Sequence, residues 1–318
     1  MSTFKKSLLA LALLGGVSGA QAGIVDIGGI DIDIGEQLDT TTIWETQITS
    51  LTDSFVGVGY VNSIVGPGGA GTAWENGDND AQLSFKLHDY TIAAFEFVTN
   101  VPLLDSLGNP IIDPGTLLPI MIPSAVTVTA ADVGNWTDAN LLASTSIFFT
   151  GGKVDVYVDS TVSGTVLDPT TSLAAIGAVD PLNPTAVELD AARALDVANA
   201  TDGDLWLGLT GHADAVTGFT LAATGNGTSP VAIIAGVGTG TFDVDMSTLG
   251  IANTNYDTNQ IPDGSDVSGT FTYNQLNTTA WDLSGGGSLT ANAIPEPASI
   301  ALLGLGLLGL GATKRKKA

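Results

Sequence analysis

"KVDVYVD", residues 153–159, places Val154, Val156 and Val158 at every second position, with Lys153, Asp155, Tyr157 and Asp159 between them. A repeat of two is that of an extended strand, whose successive side chains point to opposite faces. The valines therefore face a core and the polar set faces water. The same reading extends outward to residues 83–87, 147–149, 219–222, 231–234, 242–244 and 271–273. Between these runs lie Gly, Asn, Asp and Pro, as at Asn226-Gly227 and Asp263-Gly264, which turn the chain. Many short strands joined by glycine-rich turns predict a mainly β domain, a β-sandwich or jelly-roll-like architecture. No repeat of fixed period suggests a solenoid or a propeller.

Two stretches depart from the pattern. In residues 184–199, Thr185 and Glu188 have the spacing of a capping box, and Val187, Ala191, Leu195 and Ala198 recur at helical intervals. One short surface helix, lying on the sheet, is expected there. Residues 100–123 carry prolines at 102, 110, 114, 119 and 123. Proline has no N–H for a sheet ladder, so this stretch reads as a looped excursion and not as a central strand.

The two ends are of another kind. Lys5 and Lys6 precede an apolar run from Leu8 to Leu14, then small residues and Ala20-Gln21-Ala22. That order is a secretory signal peptide over residues 1–22 with its Ala-x-Ala cleavage site at Ala20 and Ala22. At the other end Ala298 to Ala312 is a run of 15 uncharged residues. As a helix it would span about 22 Å, short of the roughly 30 Å hydrocarbon core of a bilayer. Lys314, Arg315, Lys316 and Lys317 follow it and would stay on the cytoplasmic side as a membrane stop signal. Before it, Pro295, Glu296 and Pro297 hold an extended, accessible backbone of the kind a protease binds. The expected layout is a signal peptide at 1–22, an acidic β-rich extracellular domain at 23–293 and a single apolar sorting helix with its collar and basic tip at 294–318.

The order Pro-Glu-Pro, short Gly/Leu-rich apolar helix, basic cluster resembles the PEP-CTERM sorting signal, the substrate signal of membrane exosortases. The resemblance implies export with signal peptidase and exosortase as processing enzymes, transient inner-membrane anchoring, and cleavage near Pro295-Glu296-Pro297. It further implies delivery to the cell surface or extracellular matrix of a Gram-negative bacterium. Within that class, "FVGVGYVNSI" (residues 55–64) and "GDLWLGLTGHADA" (residues 203–215) resemble the flocculation-associated members.

Composition narrows the chemistry. Residues 23–293 hold three bases (Lys86, Lys153, Arg193) against 32 acids, a formal charge of −29, so nucleic acid and anionic membrane surfaces are poor partners. With no cysteine there is no disulfide, no thiol nucleophile and no thiolate metal site. His88 and His212 have acids beside them, but no Gly-x-Ser-x-Gly elbow or zinc-protease motif accompanies them, and no catalytic residue is assigned. Hard cations, Ca2+ or Mg2+, would suit the oxygen-rich stretches holding Glu75, Asp78 and Asp80, then Asp202 and Asp204, then Asp257, Asp263 and Asp266. The alternative is that these are turns whose Asp and Asn side chains cap their own backbone. Trp44, Trp74, Trp136, Trp206 and Trp281 are candidates for stacking on sugar rings, or for core burial. The expectation is a non-enzymatic structural or adhesive protein of an exopolysaccharide-based floc or biofilm, with extracellular polysaccharide as its partner. The alternatives are a lectin-like polysaccharide-binding module and a secreted polysaccharide-active enzyme using an acid pair.

Overall fold

Val154 and Val156 are buried while Lys153, Asp155 and Tyr157 are partly exposed, so the alternation at 153–159 is a strand with one inward face. The computed structural model describes residues 25–27, 30–32, 37–47, 54–65, 71–129, 144–160, 166–227, 233–259, 261–276 and 280–291. The signal peptide, the Pro-Glu-Pro collar and the apolar sorting helix lie outside the described residues. Among the described residues no helix is long and apolar enough to cross a membrane.

In chain order the elements are β1 (Val25–Ile27), β2 (Ile30–Ile32), β3 (Gln37–Glu45), β4 (Phe55–Val65), β5 (Thr72–Glu75), β6 (Ala81–Pro102), β7 (Met121–Thr129) and β8 (Ser144–Ser160). Then follow α1 (Ser172–Ala175), α2 (Ala186–Ala200), β9 (Asp204–Gly211), β10 (Leu221–Gly227), β11 (Ile233–Val244), α3 (Asn253–Tyr256), β12 (Val267–Gln275) and β13 (Leu283–Ala291). The pairing β3-β4-β6-β8-β9-β11-β12-β13 returns to β3, antiparallel at each step. This is a closed eight-stranded up-and-down barrel, and it corrects the expected β-sandwich or jelly roll. A sandwich leaves each sheet with two edges, whereas here the first and last ring strands join along a seam where Leu283 faces Glu45 and Gly285 faces Ile43. β9 and β10 share one place in the wall in series. β9 meets β8 at residues 153–158, and β10 meets it at 146–149.

Bulky side chains fill the interior, and glycines opposite them make the room. Leu83, Phe85 and Leu87 of β6 point inward with Val154 and Val156, Leu207 and Leu209, Phe242, Val267 and Leu289. A Cβ placed on Gly59 would stand 2.5 Å from the Phe85 ring and 2.3 Å from the Thr42 carbonyl oxygen. One on Gly238 would stand 2.8 Å from the Phe271 ring. In a barrel this narrow, a large ring on one wall needs a bare backbone on the facing or neighbouring strand. Burying each such ring contributes about 2–3 kcal/mol.

A second, smaller core lies outside the barrel. The capping box forms as expected: the Thr185 hydroxyl accepts from Glu188 N–H at 3.3 Å, and the Glu188 carboxylate accepts from Thr185 N–H at 2.8 Å. The buried face of α2, however, is Ala192, Asp196 and Ala200, while Val187, Ala191 and Ala198 are exposed. The reason is polar docking. Trp281 Nε1 donates to Asp196 at 2.8 Å, Ser84 Oγ donates to the Ala200 carbonyl at 2.8 Å, and Arg193 donates to the Ala280 carbonyl at 2.6 Å. Trp44, Val58, Leu173 and Trp281 complete this cluster. Trp44, Trp74, Trp206 and Trp281 are all buried, so none of the four offers a face to a sugar ring; Trp136 lies outside the described residues.

β6 is longer than the barrel is tall. Its residues 94–102 pair with β7 and carry an arm away from the ring. The expected loop at 100–123 therefore begins and ends inside a ladder, with Val101 opposite Ile122 and Pro102 opposite Met121. Beyond these positions the arm is held by isolated bridges at Leu104–Pro110 and Ile112–Pro119, where the prolines limit further pairing. The arm leaves one end of the barrel. β13 finishes at Ala291 at the other end, where β6 begins at Ala81 and β12 begins at Val267.

Candidate functional site

At the arm end the barrel has a mouth lined by Glu45, Thr46, Phe55, Ile147, Phe149, Leu221, Ala223, Gly238, Phe271, Tyr273 and Leu283, around a cavity of about 40 Å³. Glu45 comes there by alternation: Thr41, Ile43 and Glu45 of β3 point inward, and Trp44 between them turns out to the second core. Glycine at 57 leaves space for it, since a Cβ there would stand 3.2 Å from Glu45 Cγ. The side chain is 5 % exposed, and no described residue hydrogen-bonds to its carboxyl. Burial pushes that carboxyl up to about 8, so it is protonated at neutral pH. Burial, and next the charge of Glu45, hold the Tyr90 and Tyr273 hydroxyls above the usual phenol range. Tyr273 Oη donates to the Thr224 carbonyl at 3.2 Å, whereas the Tyr90 hydroxyl has no partner. Phe55, Tyr90 and Phe149 form an aromatic trio with ring centroids 5.6–6.2 Å apart.

Sequence reasoning passed over Glu45. Its signal was an acid at the inward phase of an alternating run, Thr41-x-Ile43-x-Glu45, where a partner or a special role is required.

The acids singled out for cations are placed differently. Glu75, Asp78 and Asp80 share one exposed turn, in which Asp78 accepts from Glu75 N–H at 2.9 Å. Asp202 and Asp204 are exposed where α2 passes into β9. Asp257, half-buried, follows α3. Asp263 accepts from Ser265 N–H at 3.1 Å and from its hydroxyl at 2.7 Å. Asp266 is buried and takes the N–H groups of Val244, Thr258 and Asn259 at 2.8, 2.6 and 2.5 Å. Asp78 and Asp263 thus serve their own turns, Asp266 ties the end of β11 to the loop after α3, and among the described residues no three acids or histidines converge as a cation site.

Both histidines lie against carboxylates. His88 Nε2 is 3.0 Å from Asp155 and its Nδ1 3.0 Å from Asp89, while His212 Nδ1 is 2.8 Å from Asp243. The Asp243 hydrogen bond raises the His212 pKa above the usual imidazole value. The stretches at 55–64 and 203–215 are wall strands β4 and β9 with the start of the following loop.

The arm is the other exposed feature. Leu104, Leu107, Ile111, Ile112, Leu117, Leu118, Ile120, Met121 and Ile122 are all exposed, Leu107 and Leu117 by 84 % and 77 %. So much apolar surface gathered on one hairpin is what an interaction surface shows.

No curated protein and no solved structure matches the chain. One family model does, the PEP-CTERM protein-sorting motif, over residues 293–316. That span takes in Pro295, Glu296 and Pro297 and the basic residues Lys314, Arg315 and Lys316. It begins two residues after β13 ends. The chain carries the PEP-CTERM protein-sorting motif, joined to the barrel at the end opposite the arm, and that motif is the mark of an exported, exosortase-processed surface protein.

Proposed function

We propose that this protein is a non-enzymatic adhesive or structural component of an exopolysaccharide-based floc or biofilm matrix. The observation that carries the reading is the polarity of the barrel: the sorting motif continues from one end, and an apolar arm leaves the other. A chain held by its tail would present the arm outward, toward neighbouring cells and matrix. Extracellular polysaccharide would lie along the outer wall, where Thr239, Thr270 and Ser288 stand in one row across β11, β12 and β13 and offer hydroxyls. Hydrogen bonding of that kind needs no cationic site. Ca2+ or Mg2+ would act as a diffuse counter-ion to the charge of −29. A polysaccharide-active enzyme is the weaker reading, because among the described residues Glu45 is the one acid lining the mouth and glycoside hydrolysis uses two.

Mass spectrometry of the extracellular form tests the route. It should begin near Gly23 and lack residues 298–318, and Pro295→Ala, Glu296→Ala, Pro297→Ala together should leave precursor in the membrane. Intact tail peptides in the matrix would overturn the processing. Shortening of the host's own polysaccharide by the purified protein would overturn the non-enzymatic reading.

A further inference from the structure

We infer that the outer wall over β10, β11 and β12 holds a groove for neutral hexose units of a polysaccharide, with Phe148 and Phe219 at one end and Asp214 and Asp263 on the rim. For the class of partner this rests on the function proposed above; the site and the kind of sugar go beyond it. The groove encloses about 390 Å³, within the roughly 300–1,000 Å³ of small-molecule clefts.

Its floor follows from strand register. Phe148, Ala222, Thr239 and Thr270 stand opposite one another across four strands. They face outward, because their neighbours Phe149, Leu221 and Phe271 pack into the barrel. Ala and Thr at three of these positions leave the wall hollow, and Thr241 opposite Ser268 adds hydroxyls in the next outward row. Phe219 stacks on Phe148 with ring centroids 4.8 Å apart and planes 19° apart, which gives the hollow an apolar end. The rim is held in shape before any ligand arrives. Asp214 N–H donates to the Phe219 carbonyl at 2.9 Å, and the Asp214 carboxylate accepts from the N–H groups of Val216 and Thr217 at 3.0 and 2.7 Å. Such a site loses little freedom on binding. At Thr270 the groove abuts a second hollow of about 380 Å³ over Thr272, Gly286 and Ser288, so a polymer has room to continue along the wall.

The absence of charge names the sugar. On a domain of −29, strands β10, β11, β12 and β13 together carry one charged residue, Asp243. A neutral hexose suits that wall. Its hydroxyls exchange hydrogen bonds with threonine and serine, which both donate and accept, and donate to the carboxylates of Asp214 and Asp263 on the rim. Its C–H face lies against a phenyl ring, whose face is the negative part of the quadrupole. A uronic acid or a sulfated sugar would meet two carboxylates and, among the described residues, no Lys or Arg in the lining.

Titration calorimetry of the processed protein at pH 7 tests this with neutral cellopentaose, maltopentaose, isomaltopentaose and mannopentaose, and with pentagalacturonate as the acidic counterpart. At least one neutral chain should bind saturably with Kd on the order of 1 mM or below, and pentagalacturonate at least about tenfold more weakly. Thr239→Gln with Thr270→Gln fills the floor from two exposed positions and should weaken binding at least about tenfold; Phe219→Ala should weaken it also. The inference fails if no neutral chain binds at about tenfold the expected Kd, if pentagalacturonate binds equally well, or if a folded floor variant keeps full affinity. It fails also if the unaltered protein self-associates in sedimentation and the floor variant does not, since the wall is then covered by a second copy. Should the floor variant not fold, the preference for neutral over acidic chains on the unaltered protein decides. Aggregation of dispersed cells separates the groove from the adhesive function: a protein that aggregates cells yet binds none of the chains strikes the groove alone, whereas one that binds a chain yet aggregates no cells strikes adhesion alone.

Discussion

A single strand, β6, builds the two most different regions of this molecule. Its first half, from Leu83 to Leu87, lies in the wall of a closed ring and buries its apolar side chains to 4 % exposure or less. Its far end runs into the arm, where Leu, Ile and Met side chains of the same kind stand in solvent. Apolar alternation alone does not bury a strand. What buries it is a second wall at the right distance, and that exists only where the ladder closes on itself. Inside the ring several large side chains have a glycine shaped to them, as Phe85 has Gly59 and Tyr90 has Gly152. On the arm nothing described is shaped to Leu107, Leu117 or Leu118.

The contrast can be broken most forcefully in the ring. Phe85→Ala removes a ring from a wall that cannot collapse around the gap. It should cost about 3–5 kcal/mol, read as a drop in the denaturant midpoint with little change in slope. A loss under about 1 kcal/mol would mean that the interior is loosely filled and that the two regions differ less than their burial indicates.

Next in size is the pH dependence set by Glu45. Its folded pKa of about 8 stands above the unfolded value of 4.5, so between these limits the folded state holds a proton that the unfolded state has released. Stability is therefore greatest below pH 4.5 as far as this group is concerned, and it falls as pH rises toward 8, by up to about 4 kcal/mol in total. Other groups add their own slopes, so the comparison is with Glu45→Gln, which should flatten this limb of the melting temperature against pH. Parallel profiles for the two proteins would place the carboxyl in contact with water.

The smallest effect on stability should come from the arm. Leu117→Asp with Leu118→Asp changes exposed side chains and should move stability by no more than about 0.5 kcal/mol. Under the adhesive reading it should nonetheless abolish aggregation of dispersed cells by the added protein. Undiminished aggregation by a folded double variant would shift adhesion from the arm to the hydroxyl-bearing wall.

Local features of this architecture could be read in the sequence, because local chemistry dictates them. Val154, Val156 and Val158 announce a half-buried strand, and Thr185 with Glu188 announces the start of α2. The closed ring could not be read in the same way, since a sandwich strand and a barrel strand show the same alternation. The distinction rests on whether β13 reaches β3, a pairing between residues far apart in the chain. A trace of it is present in "GVGTGTF", residues 236–242, where glycines alternate at positions that turn inward. Bare inward positions mark a tightly curved wall with bulky neighbours opposite. The helix face was misread for a related reason. Asp196 is buried by a hydrogen bond from Trp281, 85 residues later, and helical periodicity has no term for a distant tryptophan. The sorting motif, by contrast, was legible because its order of residues is addressed to a processing enzyme and does not depend on packing.

The seam between β3 and β13 also sets the timing of folding. It joins residues roughly 240 positions apart, Glu45 to Leu283 among them, and contacts so distant in sequence make for slow folding. Every other ring strand can pair with a neighbour already delivered, but the ring itself must wait for the last. That last strand ends at Ala291, and the sorting motif begins at residue 293. During export, then, completion of the barrel and emergence of the sorting motif are nearly one event. The barrel first becomes able to close as the motif follows it out. A mutant that pairs too early, before β13 emerges, would leave β3 and β12 with bare edges while still beside its neighbours, the state in which β proteins join to one another in place of themselves.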